Sequence, residues 1–305
     1  MMGYIIAFDI GGTAIKSGII DTRLLLRDET LATYPSESDR DADTIINNID
    51  SIILDQWEKV RHENGSLQGI GFGFPGPFNY EQGISYIKGL GKYEAIYGLD
   101  IATPIKKYLN TTDIPLSDDF TIVFENDAAA FTLGEYEHLK AVGCDRLMGI
   151  TLGTGCGSSF ISQGKIVRGM FGVPESGEIF NQPFRESIID DYISRRGILG
   201  LAAKHGMDTA RVDVADVAVL AKNGAKEAQD VFDDFGKLLG EALIPYIKQF
   251  APDIIVFGGQ ISKSFDLFGR GFQETLYHCA PRIKISQDLS RSALIGVANV
   301  VLRSR

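Results

Sequence analysis

Apolar residues recur along the chain in two patterns. Short, nearly continuous apolar runs at 4–8, 70–74, 121–124, 147–152 and 254–257 read as buried strands. Between and after them, apolar positions spaced i, i+3/i+4 predict helices over 45–57, 128–140, 215–221, 231–250 and 293–302, with Pro245 marking a kink in the fourth. Strands that alternate with helices indicate an α/β protein.

Two of the strands turn straight back on themselves. The run 4–8 leads through Asp9, Ile10, Gly11, Gly12 and Thr13 into a second apolar run, 14–20; the run 147–152 leads through Gly153, Thr154, Gly155, Cys156 and Gly157 into 158–161. Each is strand, glycine turn, strand, which predicts a hairpin and not a strand-to-helix crossover. The second lies about half a chain after the first, so the pair forms an internal repeat of two similar α/β lobes. On that repeat the chain divides into an N-terminal lobe, 1–120, and a C-terminal lobe, 121–290, with a last helix, 291–305, packing back on the first lobe. A ligand shared by the two turns accounts for both.

The composition narrows the partners. The chain has 305 residues, 40 acidic against 30 basic, and a net charge of −10, which argues against a surface that follows nucleic acid or anionic lipid. Its start lacks a basic, apolar leader and no apolar run approaches the roughly 20 residues of a membrane span, so a cytoplasmic protein is expected. The cysteines, Cys144, Cys156 and Cys279, and the histidines, His62, His138, His205 and His278, form neither a disulfide framework nor a zinc-ligand spacing.

Several glycine motifs compete for a phosphate. Gly71, Gly73 and Gly76 match the dinucleotide fingerprint after a strand, but Pro75 removes an amide donor and the following Pro77-Phe78-Asn79-Tyr80 does not open a helix. No P-loop motif occurs. Asp9, Gly11, Gly12 and Thr13 with Lys16 offer another route: glycine lets successive backbone amides converge on an anion, Thr13 adds a hydroxyl, and Asp9 can hold Mg²⁺ directly or through water. A glycine turn between strands is by itself an ordinary hairpin. The second cluster, Gly153, Thr154, Gly155 and Gly157, and a third bare turn, Gly258-Gly259 at the end of a strand, tilt the reading toward a nucleotide. Asn126-Asp127 ends one strand and begins a helix, where open α/β sheets bind ligands, so Asp127 is the candidate general base. The plain alternative is a helix N-cap. Arg195-Arg196 reads as a solvated helix face.

Together these residues resemble the ROK family of sugar kinases and sugar-responsive repressors over nearly the whole chain. The resemblance implies the two-lobed, actin-like (ribonuclease-H-like) α/β fold with an interlobe cleft. It implies that the hairpins at Asp9 and Gly153 bind the phosphates of ATP with Mg²⁺, and that Gly258-Gly259 forms the adenosine-side turn. Glu125, Asn126, Asp127 and Ala128 resemble the sugar and catalytic motif, in which the asparagine holds a ring hydroxyl and the aspartate is the base. Pro75 and Gly76 resemble the loop lining the sugar. Two departures matter. The family's E-x-G-H element survives as Glu178, with Phe180 for the glycine and Asn181 for the histidine; a second register, Glu175 to Glu178, keeps the glycine and places a glutamate at the histidine position. The cysteine-rich zinc loop is absent, so no zinc is expected, as in the branch with β-glucoside kinases and some N-acylmannosamine kinases.

The expectation is therefore ATP-dependent phosphorylation of a hexose or hexose derivative of glucose or β-glucoside type at the 6-hydroxyl, by a homodimer as is the family's habit. N-acylmannosamine or fructose kinase, a pseudokinase that binds sugar without turnover, and a sugar-sensing repressor are the rivals. The eight residues before Asp9 leave no room for a helix-turn-helix module.

Overall fold

The computed structural model describes residues 2–277 and 281–305; His278 and Cys279 lie outside them. In chain order the elements are β1 (Met2–Ile10), β2 (Ala14–Asp21), β3 (Ala32–Pro35), α1 (Ala42–Glu58), β4 (Gly65–Phe74), β5 (Phe78–Asn79), β6 (Ile84–Ser85), α2 (Ala102–Leu109), β7 (Leu116–Asn126) and α3 (Asp127–Leu139). They continue with β8 (Arg146–Leu152), β9 (Cys156–Ser162), β10 (Lys165–Ile166), β11 (Pro183–Phe184), β12 (Ser187–Ile188), α4 (Ile189–Tyr192), α5 (Arg195–Lys204), α6 (Val214–Lys222), α7 (Lys226–Phe250), β13 (Ile254–Gly258), α8 (Phe265–Thr275), β14 (Arg282–Ile285) and α9 (Leu289–Arg303). The chain forms two compact units, Met1–Glu137 with Ser290–Arg305, and His138–Leu289. The division falls after position 137 and not after 120, because β7 hydrogen-bonds to β4 and so belongs to the first sheet.

Each unit is built on a five-stranded sheet of the same design. The first has the order β3-β2-β1-β4-β7 and the second β10-β9-β8-β13-β14. In both, the first three strands are antiparallel neighbours and the last two join them in parallel. The inner parallel strands β4 and β13 are buried along most or all of their length, which is why they read as continuous apolar runs.

In the first unit, the apolar faces of β1, β4 and α1 form a core around Phe8, Ile53, Phe72, Phe74 and Trp57. Phenylalanines stack across the sheet near the C-terminal ends of its parallel strands, Phe8 on Phe72 at 4.6 Å between ring centroids and Phe72 on Phe124 at 5.0 Å, and Phe74 meets Phe78 of β5 in a tilted contact at 4.6 Å. Aromatic pairs in such offset contact add about 0.5–1.5 kcal/mol each beyond burial. Phe8 immediately precedes Asp9, and Phe124 precedes the Glu125-Asn126-Asp127 run, so the stack fixes the heights of both. On the same unit α3 and α9 cross at contact distance. A Cβ on Gly134 would lie 1.8 Å from the Ser292 carbonyl oxygen, and one on Gly296 1.8 Å from that of Ala130, so only glycine permits this crossing.

In the second unit, α5, α6, α7 and α8 cover the sheet around Phe160, Phe232, Phe235, Phe257 and Phe268. Helix α7 runs continuously through Pro245. Helices α2, α5 and α8 and strands β3 and β14 lie beyond the elements expected from the sequence; α2 and α5 are short, and α8 carries two glycines in an otherwise periodic pattern. No helix of the described residues is long and apolar enough to cross a membrane.

Candidate functional site

The first hairpin is shaped by hydroxyls that hold its carbonyls. Tyr93 donates its O–H to the Gly11 carbonyl at 2.9 Å, while Ser36 and Ser38 donate to the Gly12 carbonyl at 2.9 and 2.5 Å. In a trans peptide the N–H points opposite to the C=O, so the amides of Gly12 and Thr13 face away from these three hydroxyls. Two successive amides so aimed form an anion-binding concavity. Thr13 is exposed beside it, and Asp9, half-buried at the end of β1, stands opposite Lys16 across the strand pair. Lys16 donates from its Nζ to the Ser290 hydroxyl at 2.8 Å, at the start of α9.

The same unit carries the acidic end of β7. Asn126 Oδ1 accepts from the backbone amides of Ala128 and Ala129 at 2.9 and 3.1 Å, so the asparagine caps α3. Capping is therefore real at this dipeptide, but its acceptor is Asn126. Asn126 Nδ2 donates to the Tyr80 hydroxyl at 3.2 Å, and Tyr80 in turn donates to the Phe74 carbonyl at 3.1 Å. This ties the end of β7 to the loop through Pro75 and Gly76, which follows β4 with a cis Gly76-Pro77 bond and enters β5, with no helix after it. The fingerprint spacing at Gly71 is thus a strand and loop, as Pro75 requires.

Asp127 Oδ1 accepts from the amide of Ala128 at 2.8 Å, and the side chain keeps partial solvent access. Burial of its surroundings pushes the carboxyl up to about 6; the Asp9 charge adds to the rise, and the Ala128 amide and Lys92 oppose it. Asp127 is thus a carboxylate near neutral pH that accepts a proton far more readily than an exposed aspartate.

In the second unit, the hairpin between β8 and β9 closes with the Gly153 amide on the Gly155 carbonyl at 3.0 Å. The Arg195 amide donates to the Gly153 carbonyl at 2.9 Å, which turns the Thr154 N–H to the opposite side. Asp190 Oδ1 accepts the Cys156 amide at 2.6 Å, and its other oxygen holds Arg196 at 2.5 Å. Cys156 itself is buried, which pushes its thiol up to about 12 and leaves it unreactive. Gly258-Gly259 packs on this hairpin: Gly259 has φ +88°, and a Cβ there would meet the Leu152 carbonyl oxygen at 2.2 Å, so both its conformation and its contact require glycine.

These elements surround a cavity of about 440 Å³. Gly153 and Thr154 form one wall; Arg195, Asp213 and the first turn of α6 form another; Gln260, Ile261 and Ser264 complete it. Arg195 Nε pairs with Asp213 Oδ1 at 2.8 Å, so Arg195 is a fixed wall residue as well as a helix-surface one. Apolar Val214, Ala215, Ala218 and Ile261 beside a glycine-threonine turn suit a flat heteroaromatic group joined to phosphates. Glu178 is half-buried next to Ile179, whose amide donates to the Ser158 hydroxyl on β9 at 2.9 Å. Asn181 is exposed and accepts from Gln182 at 3.0 Å. Gly157 lies in β9. The sequence reading did not single out Tyr93, Ser36, Ser38, Asp190 or Lys92, since none belongs to a glycine motif.

For a magnesium ion the donor chemistry is suitable: one carboxylate, Asp9, adjoins the amide concavity, and Mg²⁺ takes one or two carboxylates while phosphates and waters fill the rest. Among the described residues no group of three or more His, Cys, Asp or Glu could hold a metal by itself.

The ROK family model matches residues 5–303. The chain belongs to the ROK family. A glucokinase of Streptomyces coelicolor is 26% identical over 290 residues, covering 87% of this chain and 84% of the relative. An N-acetyl-D-glucosamine kinase of Photobacterium profundum is 24% identical over 279 residues, covering 85% and 84%. Among solved structures, the ROK family glucokinase of Streptomyces griseus in complex with glucose and AMPPNP superposes with a TM-score of 0.73 at 20% identity, covering 98% of this chain and 99% of that one. This ROK protein has the α/β, two-lobed, actin-like fold, and the duplicated sheet topology is its signature.

Proposed function

We propose that this ROK protein is an ATP-dependent kinase that transfers the γ-phosphoryl group to the 6-hydroxyl of a hexose or hexose derivative. The observation that carries it is Asp127: a carboxylate raised to about 6, at the end of a parallel strand, with the capping duty taken by Asn126. Asp127 accepts the hydroxyl proton as the sugar oxygen bonds to the γ-phosphorus and the bond to the bridging oxygen breaks, releasing ADP. Phosphoryl transfer has a loose transition state, so positioning and charge neutralisation do most of the work. Within the first unit the amides of Gly12 and Thr13 are the phosphate donors we assign; within the second, Thr154 and Gly155 are assigned as a phosphate contact and the cavity by Arg195 as an adenosine seat. Asp9 is the residue that would hold Mg²⁺ beside the phosphates, and the ion would supply neutralisation of the charge on the oxygens in transfer. On the sugar side, Pro75, Gly76, Asn126, Glu178 and Asn181 are the contacts we assign, with Asn126 Nδ2 and Tyr80 as a hydroxyl-recognising pair.

Relatives named glucokinase and N-acetyl-D-glucosamine kinase support a hexose of gluco configuration, and the exchange of the expected histidine for Asn181 supports tolerance of a group at the anomeric carbon, as in a β-glucoside. The same exchange favours one second reading, a sugar-binding protein without turnover. Family resemblance supports a cytoplasmic homodimer, and sedimentation would measure its oligomeric state. The deciding experiment is ADP release with Mg·ATP over glucose, fructose, mannose, N-acetylmannosamine, N-acetylglucosamine, cellobiose and an aryl β-glucoside. Sugar-dependent turnover that Asp127→Asn abolishes establishes the kinase and names its substrate; sugar binding by calorimetry with no turnover on any of them establishes the second reading.

A further inference from the structure

We propose that Lys92 is a further catalytic residue, a cation that meets the terminal phosphate of the nucleotide at the Gly12 turn. The inference rests on the kinase reading above.

Lys92 lies in an irregular segment after β6, where a lysine is ordinarily a solvated surface group. Here its neighbour is clamped to the phosphate hairpin. Tyr93, 1% exposed, donates its amide to the Ser38 carbonyl at 2.5 Å and its hydroxyl to the Gly11 carbonyl at 2.9 Å, and its ring packs on Phe74 at 5.3 Å between centroids. The clamp lays the Lys92 side chain across the turn. A Cβ built on Gly12 would lie 2.5 Å from Lys92 Cδ and 3.1 Å from its Nζ, so the lysine occupies the space that the glycine leaves open.

The charge that results has no competing duty. Lys92 makes no salt bridge among the described residues, and its field reaches Asp127, where it favours the charged form. Lys16, the lysine that the hairpin motif itself carries, is engaged with Ser290 at the start of α9. The ammonium that lies over the Gly12 turn is therefore that of Lys92. A lysine acting as a point charge on a phosphate held by backbone amides is a recurrent solution for phosphoryl transfer. It also gives Gly12 a second reason to be glycine, since a side chain there would displace the lysine from the turn.

The test compares the wild type with Lys92→Met and Lys92→Arg. Removing one donor aimed at transition-state charge should lower kcat about 10²-fold, with the sugar KM and the melting temperature unchanged, and arginine should restore much of the loss. Calorimetry with Mg·AMP-PNP and Mg·ADP supplies a readout without turnover. Lys92→Met should weaken AMP-PNP roughly tenfold while leaving ADP as it was, because only the former carries the terminal phosphate. If Lys92→Met keeps both the wild-type kcat and the wild-type preference for AMP-PNP over ADP, Lys92 does not touch the phosphate. Equal losses in both variants with a lowered melting temperature would also overturn the proposal, in favour of a structural role. A wild type that turns over no sugar would sink the kinase reading, and the two nucleotides would then decide on Lys92 by themselves.

Discussion

Asp9 and Glu125 stand level with one another on β1 and β7, each in register with Gly73 of the strand between them. Neighbouring strands are about 4.8 Å apart, so the two backbones run roughly 10 Å apart at this height. Two residues beyond Glu125, Asp127 brings a further carboxylate to the sheet end that carries Asp9 and Glu125. The pairing explains why Asp9 adds to the raised pKa of Asp127.

Replacing Asp127 should separate activity from stability. Asp127→Asn is expected to lower turnover by about 10²–10⁴-fold, the usual worth of a general base. The folded pKa of about 6 lies above the ordinary 3.8, so the folded chain binds this proton more tightly than the unfolded one. Below about pH 4 both states are protonated and the residue costs nothing; the cost grows between 4 and 6 and is complete above 6. The shift corresponds to about 3 kcal/mol as an upper bound, and partial solvent access reduces it to about 1–2. The variant should melt higher than wild type at pH 7.5 and level with it at pH 4. Equal melting at both values would remove the assigned pKa.

The pH dependence of kcat follows from the same group. A general base works only when deprotonated, so if Asp127 has the role proposed for it kcat should climb with pH through about 6 and level off above 7. A profile flat from pH 5 to 8 under saturating Mg·ATP and sugar would show that another group takes the proton or that chemistry does not limit the rate.

Asp190 holds the second hairpin through the Cys156 amide at 2.6 Å. Asp190→Ala removes a charge-assisted bond worth about 1.5–3 kcal/mol, enough to raise the KM for ATP roughly tenfold or more. Initial rates over a range of ATP concentrations measure it, and an unaltered KM would show that the hairpin keeps its shape alone.

Gly296→Ala tests the seat of α3, the helix that begins at Asp127. Its new Cβ would lie 1.8 Å from the Ala130 carbonyl oxygen, so α9 and α3 must move apart. Overpacking of this kind costs about 1–3 kcal/mol, and backbone contact puts this site at the upper end. Urea unfolding should show a lowered midpoint, with kcat falling further than Asp127's distance from the mutation suggests; a wild-type midpoint would mean that the crossing is looser than described.

How much was legible beforehand depended on whether a feature was local. The two hairpins could be read because glycine between apolar runs states its turn within a dozen residues, and β1-β2 and β8-β9 form over the expected strands. Asp127 could be read from its place between a strand and a helix, though local pattern did not decide between base and cap. The exposed Arg195 looked like a helix surface because its partners, the Gly153 carbonyl and Asp213, lie 42 and 18 positions away. Helix α5 is not legible locally for a related reason: Gly197 and Gly200 interrupt its pattern, and its burial against α7 supplies the stability that propensity lacks.

The sequence by itself determined the alternation of strands and helices, the duplicated glycine hairpins and the family resemblance, since periodicity, turn chemistry and motif spacing are written in neighbouring residues. Only the tertiary structure decided which atoms those motifs present. Asn126 and not Asp127 caps α3, Tyr93 and two serines hold the Gly11 and Gly12 carbonyls, Asp190 takes the Cys156 amide, and Lys92 lies over Gly12. Tyr93 and Gly11 are 82 positions apart, and a hydrogen bond over that separation depends on how a sheet and its loops close, which no local pattern encodes.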